Sequence, residues 1–143
     1  MNTVKDADDA LTGKDTQYLL KDEGIIYGTI SKNDVDWYKH VLTDPRGYDY
    51  IFKASKDGAL GGLDEFNFHG YDNRTNLAVS VAGGAGNPAI FWWFDIENKT
   101  REVVYSSIDG GSGTGTGTGD YKIEVVREVA ANEYTRAKLS LDE

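Results

Sequence analysis

Cysteine is absent from the 143 residues of this chain. That removes disulfide frameworks, thiol nucleophiles and cysteine-built zinc sites together. Long apolar runs are missing too: the longest, Pro88 to Phe94, falls far below the ~20 residues a bilayer-crossing helix needs. Positive charge is scarce. Fifteen Lys and Arg against 24 Asp and Glu leave a formal net charge of −9, a surface that repels phosphate backbones, so nucleic acid is not expected as a partner. Imidazoles are limited to His40 and His69, and no Gly-x-Ser-x-Gly elbow or His-Glu-x-x-His pair accompanies them. His40 falls inside a strand pattern beside Tyr38 and Leu42 and reads as a structural histidine. A catalytic function is therefore not expected.

What is present is strand material. The length suits one domain with its own core. Residues 1–24 are polar and acidic and read as an N-terminal arm packing on the domain that occupies 25–143. From Ile25 onward, short segments rich in Ile, Val, Tyr, Phe and Trp alternate with Gly, Asn and Asp. Eight strands are predicted: Ile25–Ile30, Val35–Leu42, Tyr48–Ser55, Asn76–Val81, Ala89–Ile96, Arg101–Ile108, Tyr121–Arg127 and Tyr134–Leu141. The fold expected is all-β, a two-layer antiparallel sandwich of jelly-roll type. Tyr121, Ile123 and Val125 face one way and Lys122, Glu124 and Val126 the other; Ala137, Leu139 and Leu141 are set opposite Arg136, Lys138 and Ser140. Ala89–Phe94 is apolar on both faces, as in a central strand. Residues 110–119 contain six glycines in ten positions and read as a flexible loop, not a phosphate cradle.

Gly24-Ile25-Ile26-Tyr27-Gly28-Thr29-Ile30, a polar turn, and Asp34-Val35-Asp36-Trp37-Tyr38 form the most informative stretch. Together with Gly119-Asp120-Tyr121-Lys122-Ile123-Glu124-Val125 and Tyr134–Leu141, it resembles the bacterial pre-peptidase C-terminal domain family. Arg136 departs from that pattern where Leu is usual. The resemblance implies a β-sandwich serving as a non-catalytic accessory domain of a secreted bacterial protein, an adhesin or a hydrolase. It also implies an extracellular or cell-surface location, a protein or peptide ligand, and a monomeric domain within a longer chain. Relatives of collagen-binding and adhesin type bind calcium, so Ca²⁺ is the implied cofactor.

Calcium takes six to eight oxygen ligands from flexible segments. Asp6, Asp8, Asp9, Asn33, Asp34 and Asp36 supply such oxygens, provided the arm folds back along the first hairpin. The competing reading makes Asn33-Asp34 a locally bonded turn and the arm a solvated acidic tail. Asp72, Asn73, Asp109 and Asp120 form a second acidic group, expected at one end of the sandwich. Tyr71, Asp72, Asn73, Trp92, Trp93, Tyr105, Asp109 and Asp120 make up the expected ligand-binding set, combining flat apolar area with oxygen groups. A glycan could use the same aromatics, but neighbouring Trp92 and Trp93 point to opposite faces of a strand and cannot form one platform. A spacer without any ligand is the remaining alternative.

Overall fold

The computed structural model describes residues 2–4, 19–30, 35–57, 65–72, 77–84, 86–93, 102–111, 118–131 and 133–141. Ten strands and one helix follow in order: β1 (Asn2–Val4), β2 (Leu19–Lys21), β3 (Gly24–Ile30), β4 (Val35–Val41), β5 (Tyr48–Lys56), β6 (Glu65–Tyr71), β7 (Leu77–Gly84), β8 (Ala89–Trp93), β9 (Val103–Asp109), β10 (Gly119–Val129) and α1 (Glu133–Leu141). They build an all-β sandwich of two five-stranded sheets. Sheet I has the order β1-β3-β10-β5-β8 and sheet II the order β2-β4-β9-β6-β7. The chain passes from one sheet to the other at nearly every connection. Among the described strands, β6 and β7 are the only consecutive pair that are neighbours in one sheet.

Alternation explains the two layers. Ile26 and Ile30 of β3, Tyr121, Ile123 and Val125 of β10, and Tyr50, Phe52 and Ala54 of β5 turn inward from sheet I. Tyr38 and His40 of β4, Val104 and Ile108 of β9, and Phe66 and Phe68 of β6 meet them from sheet II. Phe91 of β8 stacks on Phe52 at 4.8 Å between centroids and lies 4.9 Å from Phe68, so one ring joins the layers. Burying such aromatic faces is the largest stabilising term available to a domain without disulfides. At the bend between β2 and β3, Asp22 adopts φ 55° and accepts hydrogen bonds from Thr43 N (2.7 Å) and the Tyr50 hydroxyl (3.0 Å). Burial opposes its ionisation. The bonds from Thr43 and Tyr50, with the nearby Arg127 charge, outweigh that and hold its carboxyl below the usual range.

Several expectations are corrected. Tyr134–Leu141, read as a closing strand, lies within helix α1, where Ala137 and Leu139 are exposed and Thr135 is buried. Good helix formers fill this segment, and their propensity prevails over the period-two pattern; Lys138 Nζ lies 2.8 Å from Asp44 Oδ2 in the β4–β5 turn. The sheets are not purely antiparallel either, because β1 and β2, inside the first 24 residues, pair parallel with β3 and β4. Of the stretch expected to be central, Ala89–Phe94, the described part, Ala89–Trp93, forms β8 at the edge of sheet I. Its outward Ile90 and Trp92 are exposed, which accounts for the two-faced apolar pattern without a second covering layer. Strand β6 was not anticipated at all. Finally, β3 and β4 lie in different sheets, so the Gly24–Tyr38 stretch is a crossover between layers and not a hairpin.

Candidate functional site

The outer face of sheet II gathers the most chemically varied side chains. Cross-strand register sets Trp37, Ser107, His69 and Ser80 in one row across β4, β9, β6 and β7. The adjoining row is Lys39, Tyr105, Tyr71 and Leu77. Because strands alternate, these residues, apart from Leu77 beyond the register shift at Gly70/Tyr71, stand on the face opposite Tyr38, His40 and Phe68. The rings of Trp37 and Tyr71 approach to 4.7 Å between centroids with a 36° tilt. Their strands are separated by β9, roughly 10 Å apart at two sheet spacings, so both rings lean inward over the intervening strand. They roof Ser107, which is only 1% exposed although it points outward. The Tyr71 hydroxyl lies 3.5 Å from Ser107 Oγ.

Beside this aromatic pair runs a polar chain. Ser80 Oγ is 2.7 Å from His69 Nδ1, and His69 Nε2 is 2.9 Å from Asp109 Oδ2. The other carboxylate oxygen of Asp109 accepts a hydrogen bond from Gly111 N at 3.0 Å, anchoring the start of the glycine-rich loop. These bonds fix the imidazole plane, and the Tyr71 ring lies 6.5 Å away between centroids at a tilt of 53°. Serine, histidine and aspartate thus occur in the order of nucleophile, base and orienting carboxylate. Acyl transfer also needs preorganised donors around an oxyanion. What the face offers directly is flat aromatic area flanked by a hydroxyl, an imidazole, a carboxylate and an ammonium, the mixture found at binding surfaces.

The sandwich has a solved counterpart. Over 88% of this chain and 96% of the other, with a TM-score of 0.51 and 10% sequence identity, it is similar to PliG of Aeromonas hydrophila, a periplasmic lysozyme inhibitor of g-type lysozyme. At that identity the likeness with PliG is one of fold. No protein-family model matches the chain, and no curated protein matches it.

On this PliG-like frame, Tyr71, Tyr105 and Asp109 of the expected ligand set come together on the outer face of sheet II, with Tyr105 only 4% exposed. Trp92 and Trp93 lie on β8 of the other sheet; Trp92 points outward and Trp93 inward, as alternation requires. The second acidic group does not assemble. Asp72 follows β6 at the end where Tyr71 pairs with Tyr105, whereas Asp109 pairs with Asn67 near the other end of that strand. Asp120 belongs to sheet I and accepts a hydrogen bond from Thr29 Oγ1 at 2.7 Å. Asn73 lies outside the described residues.

Of the six residues suggested for calcium, Asp6, Asp8, Asp9, Asn33 and Asp34 also lie outside the described residues. Asp36 is fully buried between the sheets, where its Oδ2 accepts from the Tyr121 hydroxyl at 2.7 Å. Asp36 therefore occupies a core position, bonded to Tyr121. Among the described residues, no group of three or more His, Asp and Glu side chains is placed to hold a metal. Sequence reasoning missed Trp37, His69 and Ser80. Alternation along β4 with Tyr38 inward places Trp37 outward and could have found it; His69 required the unrecognised strand β6.

Proposed function

We propose that this chain is a non-catalytic binding module of an extracytoplasmic protein, and that a protein ligand seats on the outer face of sheet II. The observation that carries this reading is the Trp37–Tyr71 pair leaning across β9 beside the bonded His69 and Asp109. Large rings held in place lose little entropy on binding, and anchors of this type dominate protein interfaces. Similarity to PliG, described as a periplasmic inhibitor of an enzyme, supports a protein ligand outside the cytoplasm. The net charge of −9 favours a basic partner surface and a salt-sensitive association rate. Among the described residues no helix is long and apolar enough to cross a membrane.

Calorimetric titration with a g-type lysozyme as first protein probe tests this reading. Trp37→Ala and Tyr71→Ala are each expected to weaken binding by about tenfold, as for central aromatic anchors. Variants that bind as well as the parent chain remove the face from consideration. Binding on a glycan array, with none to the protein, favours the carbohydrate reading. The serine–histidine–aspartate order favours a second reading, hydrolysis. The binding-module reading expects no turnover of an activated aryl ester above buffer, and turnover lost in Ser80→Ala would make the chain an enzyme.

Calcium dependence rests on the pre-peptidase resemblance alone and is tested separately. If Ca²⁺ ties the arm to Asn33 and Asp34, a thermal melt at about 100 times Kd should rise by several degrees and fall back with excess chelator. Coincident melts exclude it.

A further inference from the structure

The two sides of the sandwich close differently. One ends in β1 and β2, three-residue strands that present almost no unpaired backbone. Short edge strands of this kind guard against pairing with other chains. The other side ends in β7, with eight residues, and β8, with five. Neither contains Asp, Glu, Lys, Arg or Pro, in a chain that is 27% charged. Among the described strands, β8 has a neighbour on one side only, β5. Alternate residues of an edge strand direct N–H and C=O groups away from the sheet, where a further extended strand can add.

The side chains of β8 narrow the choice of occupant. Its outward residues are Ile90 and Trp92, 42% and 46% exposed, placed symmetrically about Phe91. Two copies paired antiparallel about Phe91 set Ile90 of each against Trp92 of the other. On the inner face the same register sets small Ala89 against large Trp93. Aromatic with β-branched is a favoured cross-strand pair, and the arrangement is self-complementary, as a two-fold interface must be. Val126 and Ile51 stand in register with Trp92, so the exposed apolar row on sheet I would run on into the second copy.

We infer that β8 is a dimerisation edge, at which a second copy of this chain adds antiparallel to sheet I and makes it ten strands wide. This goes beyond the reading of sheet II, which the dimer leaves open on its outer face. The net charge opposes association of like copies, so added salt should strengthen the dimer.

Sedimentation equilibrium of the full chain at rising concentration and two salt levels provides the first test. A monomer–dimer equilibrium favoured by salt is expected. Trp92→Lys and Ile90→Lys, both outward positions, should weaken it at least tenfold, and Leu139→Lys, also exposed but on α1, should leave it unchanged. Absence of native cysteine allows a register test. An oxidised equimolar mixture of Ile90→Cys and Trp92→Cys should form a covalent dimer, and each variant alone should not. A chain that stays monomeric throughout, a dimer indifferent to Trp92→Lys, or single variants that cross-link as readily as the mixture would overturn the assignment. So would a monomer that binds an added strand peptide at this edge.

Discussion

Lowering the pH from 8 to 5 should cost this protein about 2 kcal/mol of stability through His40 alone. The imidazole is 1% exposed, sits edge-on to Phe52 at 4.9 Å between centroids, and has Nε2 2.7 Å from Ser106 Oγ. Nδ1 has no hydrogen-bond partner among the described residues. Burial penalises the imidazolium and pushes the pKa down to about 3. Folding therefore keeps His40 neutral, while the unfolded chain takes up a proton near pH 6.5. The stabilisation is complete above that pH and is lost at about 1.4 kcal/mol per pH unit below it, until the folded form itself protonates near pH 3. Urea midpoints at pH 8, 6 and 5 measure the slope. His40→Gln, which retains a group able to bond Ser106, should flatten the slope relative to the parent chain. Parallel pH profiles would show that His40 is not the cause.

Gly28→Ala should be more damaging, by about 3 kcal/mol, or roughly 10 °C in Tm for a domain of this size. Gly28 is opposite Tyr121 in the β3–β10 register, and both face the core. A Cβ on residue 28 would overlap the Tyr121 hydroxyl oxygen and its ring. The ring has little room to retreat. Its hydroxyl donates to Asp36 and also bonds the Tyr38 hydroxyl, all within the buried interior. Burial, together with the neighbouring Tyr38 and Asp36, drives the Tyr121 pKa well above its ordinary value, so this phenol remains a donor at any working pH. An added methyl would therefore both crowd the ring and break a buried polar cluster. Differential scanning calorimetry of Gly28→Ala against Gly24→Ala, another buried glycine of the same strand, measures the difference. Equal melts would mean that Tyr121 can move aside.

The sandwich was legible wherever alternation was clean. In β10, Tyr121, Ile123 and Val125 had to share a face, and they do. Strand β6 was hidden because Asn67, His69 and Gly70 are poor strand formers, and Gly70 takes an inward position where an apolar side chain would have completed the pattern. Helix α1 was misread because period-two and period-3.6 patterns are hard to separate in so short a segment, and the strong helix formers Glu133, Arg136, Ala137, Lys138 and Leu139 decided between them. The candidate face could not be read from sequence for a related reason. Trp37, Ser107, His69 and Ser80 form a row only once the order β4-β9-β6-β7 is known, and that order is not the chain order. Asp36 had the composition of a metal ligand, but its strand parity turns it inward to Tyr121.

Strand β10 lies at the centre of sheet I, between β3 and β5, yet it follows both of them in the chain and comes after β6 to β9. On the ribosome, β3 and β5 must therefore wait with their inner flanks open until residues 119–129 have emerged. Contacts between such distant parts of a sequence slow folding and lengthen the time for which sticky intermediates persist. Translation that stalls within the glycine-rich stretch would leave a product lacking the keystone of one layer, a natural substrate for chaperones and proteases.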